Sequence, residues 1–306
     1  MKLKYAIIGA GAIGGYYGGR LAHAGSDVHF LFHSEYDHVK ANGMRVDSVI
    51  GDFVVNPINA YKSTADMPKS DVVIVALKST QNHLLPDMLR PIVHENTVVV
   101  LIQNGLGLEG ELAQHFPHLS IAGGMAFICS SRVGAGHISH QDYGPLTVGF
   151  HQNAQADVLA QMKSDMEAAQ VPFIVAEDLN VARWKKLVWN IPYNGLTVAL
   201  NMATDVIMRT PSSRQLVTDM MEEVLAGAKA CGANIDPSFI DDMLSMTDKM
   251  TPYSPSMKLD FDNKRQMEIR AIYSNPIRIA KESGFYMRKV EMLEQQLLFI
   301  QNRMNG

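Results

Sequence analysis

An α/β half followed by an all-α half is the fold class that this 306-residue sequence predicts. Three observations carry that prediction. The glycine-rich segment Gly9-Ala10-Gly11-Ala12-Ile13-Gly14 sits between a short apolar run and a stretch of helical character. Two fully apolar runs, 71–77 and 97–102, read as parallel strands covered on both faces. From 178 onward the hydrophobic period turns helical and stays so. The length favours two domains, and the change of period divides them at 1–177 and 178–306.

Bulk properties narrow the function classes. A hydrophobic content of 47% supports ordinary globular folding, and a net charge of −4 with pI near 6.2 offers no basic field for nucleic acid. Cys129 and Cys231 form no C-x-x-C, which argues against a disulfide framework or zinc site and fits a reducing, cytoplasmic compartment. His137 and His140 read as ordinary strand residues, so no metal is expected. Lys2, Lys4 and Ala22-His23-Ala24 imitate a secretory signal, but the six glycines from Gly9 to Gly19 make a poor apolar region for one. No run approaches the roughly 18 apolar residues of a membrane span, so no membrane partner is expected.

Taken in order, residues 4–8 form the first strand and 15–24 the first helix. Gly9 allows the tight turn between them, Gly11 lets the backbone approach a pyrophosphate, and Gly14 lets the helix sit close to the sheet. The helix N-terminus supplies free N–H groups and the positive end of its dipole to the phosphates. Strand, turn and helix together make this a Rossmann-type dinucleotide site, which the bare motif would not. The second strand spans 27–32, and His33, Ser34 and Glu35 after it fall where an adenosine ribose is met. An acid there favours the free 2′-hydroxyl of NAD and an arginine the 2′-phosphate of NADP. This sequence offers neither cleanly, so NAD stays open beside NADP. Alternation through 44–55, broken at Gly51-Asp52, predicts a small hairpin. The two apolar runs end at Lys78 and Asn104, outside the carboxyl ends of their strands, where ligands bind in open α/β sheets. Asn104-Gly105-Leu106-Gly107 is a turn able to present an amide. A strand at 121–127, a hairpin over 136–150 turning at Tyr143-Gly144-Pro145, a helix at 152–169 and a strand at 171–175 complete the first domain.

Helices are expected at 178–194, 212–232, 236–247, 263–283 and 286–303. In the first of them Lys186, Asn190 and Asn194 recur every four residues, which sets an ammonium and two amides on one face. Such a row can hold and protonate an oxygen-rich substrate; a solvated stripe is the competing explanation. Pro192 removes one N–H beside the row and predicts a kink. A substrate cleft is expected where the two halves meet. On residues alone, Glu268 reads as part of a charged helix face with Lys264, Arg265 and Arg270, and Ser256 as turn chemistry beside Pro255.

Several pieces together carry a resemblance. They are Gly9–Gly14, Ala76-Leu77-Lys78, Gln103-Asn104-Gly105-Leu106-Gly107, Trp184-Lys185-Lys186-Leu187-Val188-Trp189-Asn190 with Asn194, Pro255-Ser256-Met257 with Asp260, and Glu268. In this order and spacing they resemble the ketopantoate reductase (2-dehydropantoate 2-reductase) family over essentially the whole chain. The resemblance implies a dinucleotide-binding Rossmann domain followed by an all-α, 6-phosphogluconate dehydrogenase C-terminal-like domain. It implies NADPH-dependent reduction of ketopantoate to pantoate, on the cytoplasmic route to pantothenate and coenzyme A. By position it makes Lys186 the proton donor, Asn104 a contact to nicotinamide and substrate, and Asn190, Asn194 and Ser256 substrate-binding residues. Glu268 falls on an acid near the substrate and the nicotinamide end, and Lys78 and Ser130 on cofactor-contacting positions. Two departures stand out: His33 replaces an arginine after the second strand, and Met287-Arg288 replaces a proline before the last helix. Two other readings are a reductase of a different 2-keto acid on the same scaffold and a non-catalytic NADP(H) redox sensor. Lys186, Asn104 and Glu268 together speak against the sensor. A homodimer through the helical half is common in such folds, though no heptad seam demands one.

Overall fold

Along the first 179 residues the chain forms Lys4–Ile8 (β1), Ala12–His23 (α1), Asp27–Leu31 (β2), Tyr36–Asn42 (α2), Met44–Ser48 (β3), Phe53–Val55 (β4) and Asn59–Tyr61 (β5). Val72–Val75 (β6), Leu85–Leu89 (α3), Val98–Leu101 (β7), Leu108–His115 (α4), Ser120–Gly134 (β8), His137–Gln152 (β9), Ala156–Ala168 (α5) and Phe173–Val175 (β10) follow. This is a computed structural model that describes residues 2–250 and 254–304. It divides into two units, Met1–Gln103 with Leu108–Leu179, and Asn104–Gly107 with Asn180–Gly306. The Asn104–Gly107 turn, deep inside the first half of the sequence, thus counts with the second unit.

In the first unit the described strands make one sheet in the order β4-β3-β9-β8-β7-β6-β1-β2-β5, with β10 beside β9. β5, β2, β1, β6, β7 and β8 run parallel, and β6 and β7 are buried at every position, as strands covered on both faces must be. The strand order reverses direction at β1 and β6, so the glycine-rich turn after β1 lies at a topological switch point. Register aligns Ile8 with Leu31 on one side and Val75 on the other, and Val75 with Leu101. The segments that begin at Gly9, His33, Lys78 and Gln103 therefore leave the sheet along one edge. α1 lies very near the sheet: a Cβ on Gly14 would stand 2.3 Å from the Gly9 carbonyl oxygen, and one on Gly18 2.6 Å from the Phe30 ring.

The expected hairpin over 136–150 is corrected by the structure. β8 and β9 form one long antiparallel pair that turns between Gly134 and His137, and Tyr143-Gly144-Pro145 lies inside β9. The ladder shifts register opposite these residues, and the Tyr17 hydroxyl donates to the carbonyl oxygens of Gly144 (3.2 Å) and Pro145 (3.4 Å). A bulge anchored on α1 has taken the place of a turn.

The second unit is helical among its described residues: Leu179–Ala199 (α6), Thr204–Arg209 (α7), Pro211–Ala230 (α8), Phe239–Lys249 (α9), Ser256–Asp262 (α10), a π-helical turn at Arg270–Ser274, Asn275–Glu282 (α11) and Arg288–Met304 (α12). α6 runs through Pro192 and ends five residues beyond the expected 194. It is buried continuously from Leu187 to Val198, and a helix apolar nearly all round belongs in a core. The helix expected at 263–283 begins later, at Ile269, and runs through the π-helical turn to Glu282; ahead of it Lys264 adopts φ 53° and Asp260 pairs with Arg265 at 3.2 Å. α12 starts without the missing proline, since the Glu223 carboxylate of α8 accepts from the Lys289 and Val290 N–H groups at 3.1 and 2.9 Å. No described helix is long and apolar enough to cross a membrane.

Candidate active site

In the first unit, Gly9 to Gly14 and Ser130 lie at the start of α1, while His33, Ser34 and Lys78 follow the strands on either side of β1. Gly9 adopts φ +94°, and a Cβ there would stand 2.7 Å from the Leu77 nitrogen, so only glycine fits this crossing. Gly11 is the extended N-cap of α1 and accepts from the Gly15 N–H at 2.8 Å. A Cβ on Gly11 would meet nothing within 4 Å, which leaves its backbone open to a phosphate. Ala10 and Ile13 pack partly buried against the core, and the Ala12 carbonyl accepts from Ser130 Oγ at 3.2 Å. Ser130 is thereby fixed beside the first residue of the helix. His33 and Ser34 are exposed after β2, and Lys78 is exposed after β6. Gln103 ties the ends of β6 and β7 together, donating to the Leu77 carbonyl at 2.8 Å and to Asn82 Oδ1 at 2.6 Å. His137 pairs with Asp47 at 2.7 Å and His140 with Ser48 Oγ at 2.8 Å, both ordinary strand partnerships.

In the second unit the polar row on α6 is largely internal. Asn190 and Asn194 are 3% and 1% exposed, while Lys186 is half-buried. A buried carboxamide needs partners. Asn190 Nδ2 donates to Asn104 Oδ1 over a long 3.4 Å, and Asn194 Oδ1 accepts from the Met257 N–H at 3.1 Å, next to Ser256. Asn104, Asn190, Asn194 and Ser256 are thus brought together around α6. The solvated-stripe explanation fails for the two asparagines.

Asn104 is held by residues that spacing did not single out. Leu106 donates its N–H to the Ala271 carbonyl at 3.0 Å and accepts from Asn275 Nδ2 at 2.7 Å. Gly105, at φ +111°, passes so near that a Cβ would stand 2.4 Å from the Ala271 oxygen. Ala271 lies in the π-helical turn, a distortion that recurs at functional sites. Glu268 stands just before that turn and is 4% exposed, so it is no part of a solvated helix face. Trp189 and Tyr193 belong to the core: Trp189 Nε1 donates to Thr247 Oγ1 at 3.0 Å and the Tyr193 hydroxyl to Met208 Sδ at 3.0 Å. Burial pushes the Tyr193 phenol up to about 12, which leaves it neutral near neutral pH.

With this geometry in view, comparison with known proteins decides the family. The ketopantoate reductase PanE/ApbA model matches residues 5–153, and the ketopantoate reductase PanE/ApbA C-terminal model matches 178–301. A 2-dehydropantoate 2-reductase of Nostoc sp. is 50% identical over 98% of this chain and 96% of its own length. The chain belongs to the ketopantoate reductase family. Among solved ketopantoate reductases, that of Geobacter metallireducens is 39% identical with a TM-score of 0.93, covering 96% of this chain and 99% of the other. The enzyme from Methylococcus capsulatus is 31% identical with a TM-score of 0.92, covering 99% and 98%. Membership in the ketopantoate reductase family brings with it a nicotinamide dinucleotide, and the residues fit one: Gly9 and Gly14 draw α1 onto the sheet, and Gly11 leaves open space at its N-terminus.

Proposed function

We propose that this chain reduces 2-dehydropantoate to pantoate with NADPH, a step toward pantothenate and coenzyme A. What supports the reading most is the 50% identity to the Nostoc 2-dehydropantoate 2-reductase, which extends over both units. NADPH, when bound, supplies the hydride that reaches the C2 keto carbon. Residues of the chain then manage the charge and the proton. The alkoxide that develops on the former carbonyl oxygen takes a proton from the Lys186 ammonium, leaving a hydroxyl and a neutral amine. Asn190 and Asn194, buried and already hydrogen-bonded, orient the carboxylate and hydroxyl ends of the substrate with little reorganisation. Asn104, fixed by its turn against Ala271, meets substrate and nicotinamide, and Ser256 adds a hydroxyl beside Asn194. Glu268 sets a carboxylate near the nicotinamide end. Gly9 to Gly14, His33, Ser34, Lys78 and Ser130 hold the cofactor.

Steady-state oxidation of NADPH and of NADH with ketopantoate, run beside Lys186→Ala, tests this. Rapid NADPH consumption and a loss of roughly 10² to 10⁴ in kcat for the variant are expected. Failure to reduce ketopantoate while another 2-keto acid is reduced would move the assignment to that acid. Undiminished turnover by Lys186→Ala would remove the lysine from its role.

A further inference from the structure

β8 does more than pair with β7 and β9 inside the sheet. Ser130 on this strand donates to the carbonyl of Ala12 at the start of α1, at 3.2 Å. Two residues on, Arg132 ion-pairs through Nη1 with Glu35 Oε1. Glu35 lies in the short segment after β2, as the N-cap of α2, and its other oxygen accepts from the Gly136 N–H at 3.1 Å. The end of the hairpin rests on α2, where a Cβ on Gly136 would stand 2.8 Å from Val39 Cγ2. The strand therefore runs from the phosphate turn to the segment after β2, which is the path a dinucleotide takes from pyrophosphate to adenosine ribose.

We propose that Arg132 recognises the 2′-phosphate of NADP(H), with Glu35 as its anchor. The inference rests on the NADPH reading above and supplies the cation that position 33 lacks. Glu35 is well placed for a ribose, but both of its oxygens are engaged by Arg132 and the Gly136 N–H. Its side chain is 13% accessible, whereas that of Arg132 is 47% accessible. The carboxylate is covered and the guanidinium faces water. A guanidinium carries five N–H donors in a planar fork, so one bond to Glu35 leaves a bidentate face for a phosphate. Pairing also quenches the repulsion that a free Glu35 would exert on a group carrying about −1.5 to −2 charges. His33 and Ser34, exposed alongside, add donors without fixing the choice of cofactor.

The test is binding to the full chain without substrate, by titration calorimetry with NADP⁺, NAD⁺, 2′,5′-ADP and ADP. Wild-type protein comes first. Equal affinity for NADP⁺ and NAD⁺ would sink the NADPH reading itself, before any variant is made. Given a preference for NADP⁺, Arg132→Leu weakens NADP⁺ and 2′,5′-ADP by roughly 10- to 100-fold and leaves NAD⁺ and ADP unchanged. Arg132→Lys, which keeps the charge and loses the fork, falls between the two. An equal loss for phosphorylated and unphosphorylated ligands would mean that Arg132 only holds the hairpin, and an unchanged NADP⁺ affinity that the phosphate binds elsewhere. Either overturns the proposal. If Arg132→Leu fails to fold, the same comparison is made with Arg132→Lys.

Discussion

His140 shows how a single buried residue couples this fold to pH. It is 2% exposed, and its Nε2 faces the carbonyl oxygens of Tyr143 at 2.9 Å and Asp142 at 3.2 Å. Carbonyls only accept, so Nε2 carries the proton and Nδ1 accepts from Ser48 Oγ, which in turn accepts from Arg20 at 3.1 Å. Burial holds the imidazole below its ordinary value of about 6.5, with the neighbouring carbonyls opposing the shift. As pH falls, the unfolded chain takes up the proton first. Stability is therefore whole above about pH 6.5 and declines as pH drops toward the lowered folded value. His29, also lowered chiefly by burial, adds to the slope. Urea midpoints between pH 5 and 8 should fall less steeply for His140→Gln than for wild type, and parallel curves would defeat the argument. The partners of His140 lie on β3, α1 and a bulge, so its burial could not be read from its neighbours in sequence. The row Lys186, Asn190, Asn194 was legible because helical spacing is local. Arg132 and Asn275 were not, since their importance comes from partners 97 and 169 residues away.

Among the elements, the Asn104–Gly107 turn is closely held from two sides, by Ala271 and by Asn275. Gly105→Ala forces an alanine into φ +111° with its Cβ 2.4 Å from a backbone oxygen, so the turn must shift away from Ala271. Overpacking and backbone strain of this kind cost about 1–3 kcal/mol each. The variant should show a lower urea midpoint at unchanged m and a kcat reduced by misplacement of Asn104. A variant with wild-type midpoint and kcat would show that the turn tolerates the shift. Glycine in this turn was legible, but its reason, the close pass against a π-helical turn at 270–274, was not. The same limit explains Tyr143-Gly144-Pro145, whose residues favour a reversal by themselves. Tyr143 (φ 62°) and Gly144 (φ 132°) do bend the backbone, but the Tyr17 hydroxyl captures the freed carbonyls and the strand continues. Local turn chemistry lost to a tertiary anchor.

For the whole molecule, each unit buries an apolar cluster of its own, one around Tyr5, Ile7 and Phe30 and the other around Trp184, Tyr193 and Tyr273. Both tryptophans, Trp184 and Trp189, lie in the second unit, so their fluorescence reports its unfolding alone. The fluorescence melt should separate from the circular-dichroism signal of the sheet. NADP⁺ at about 100 times Kd should raise the sheet transition by about 2.7 kcal/mol of linkage and move the tryptophan transition less. Coincident melts that shift together would show one cooperative block instead. The alternation of strands and helices, then helices alone, made the two-part fold legible. The path of the chain between the parts was not, and it constrains how such a gene can change. A helical fragment encoded from position 180 onward would lack residues 104–107, leaving the Ala271 oxygen and the Asn275 amide without the Leu106 backbone that satisfies them. The helical part is therefore not encoded by one continuous stretch: a cut at position 180 separates it from four residues that complete it, and a replacement helical part needs a matching 104–107 turn in the chain it joins.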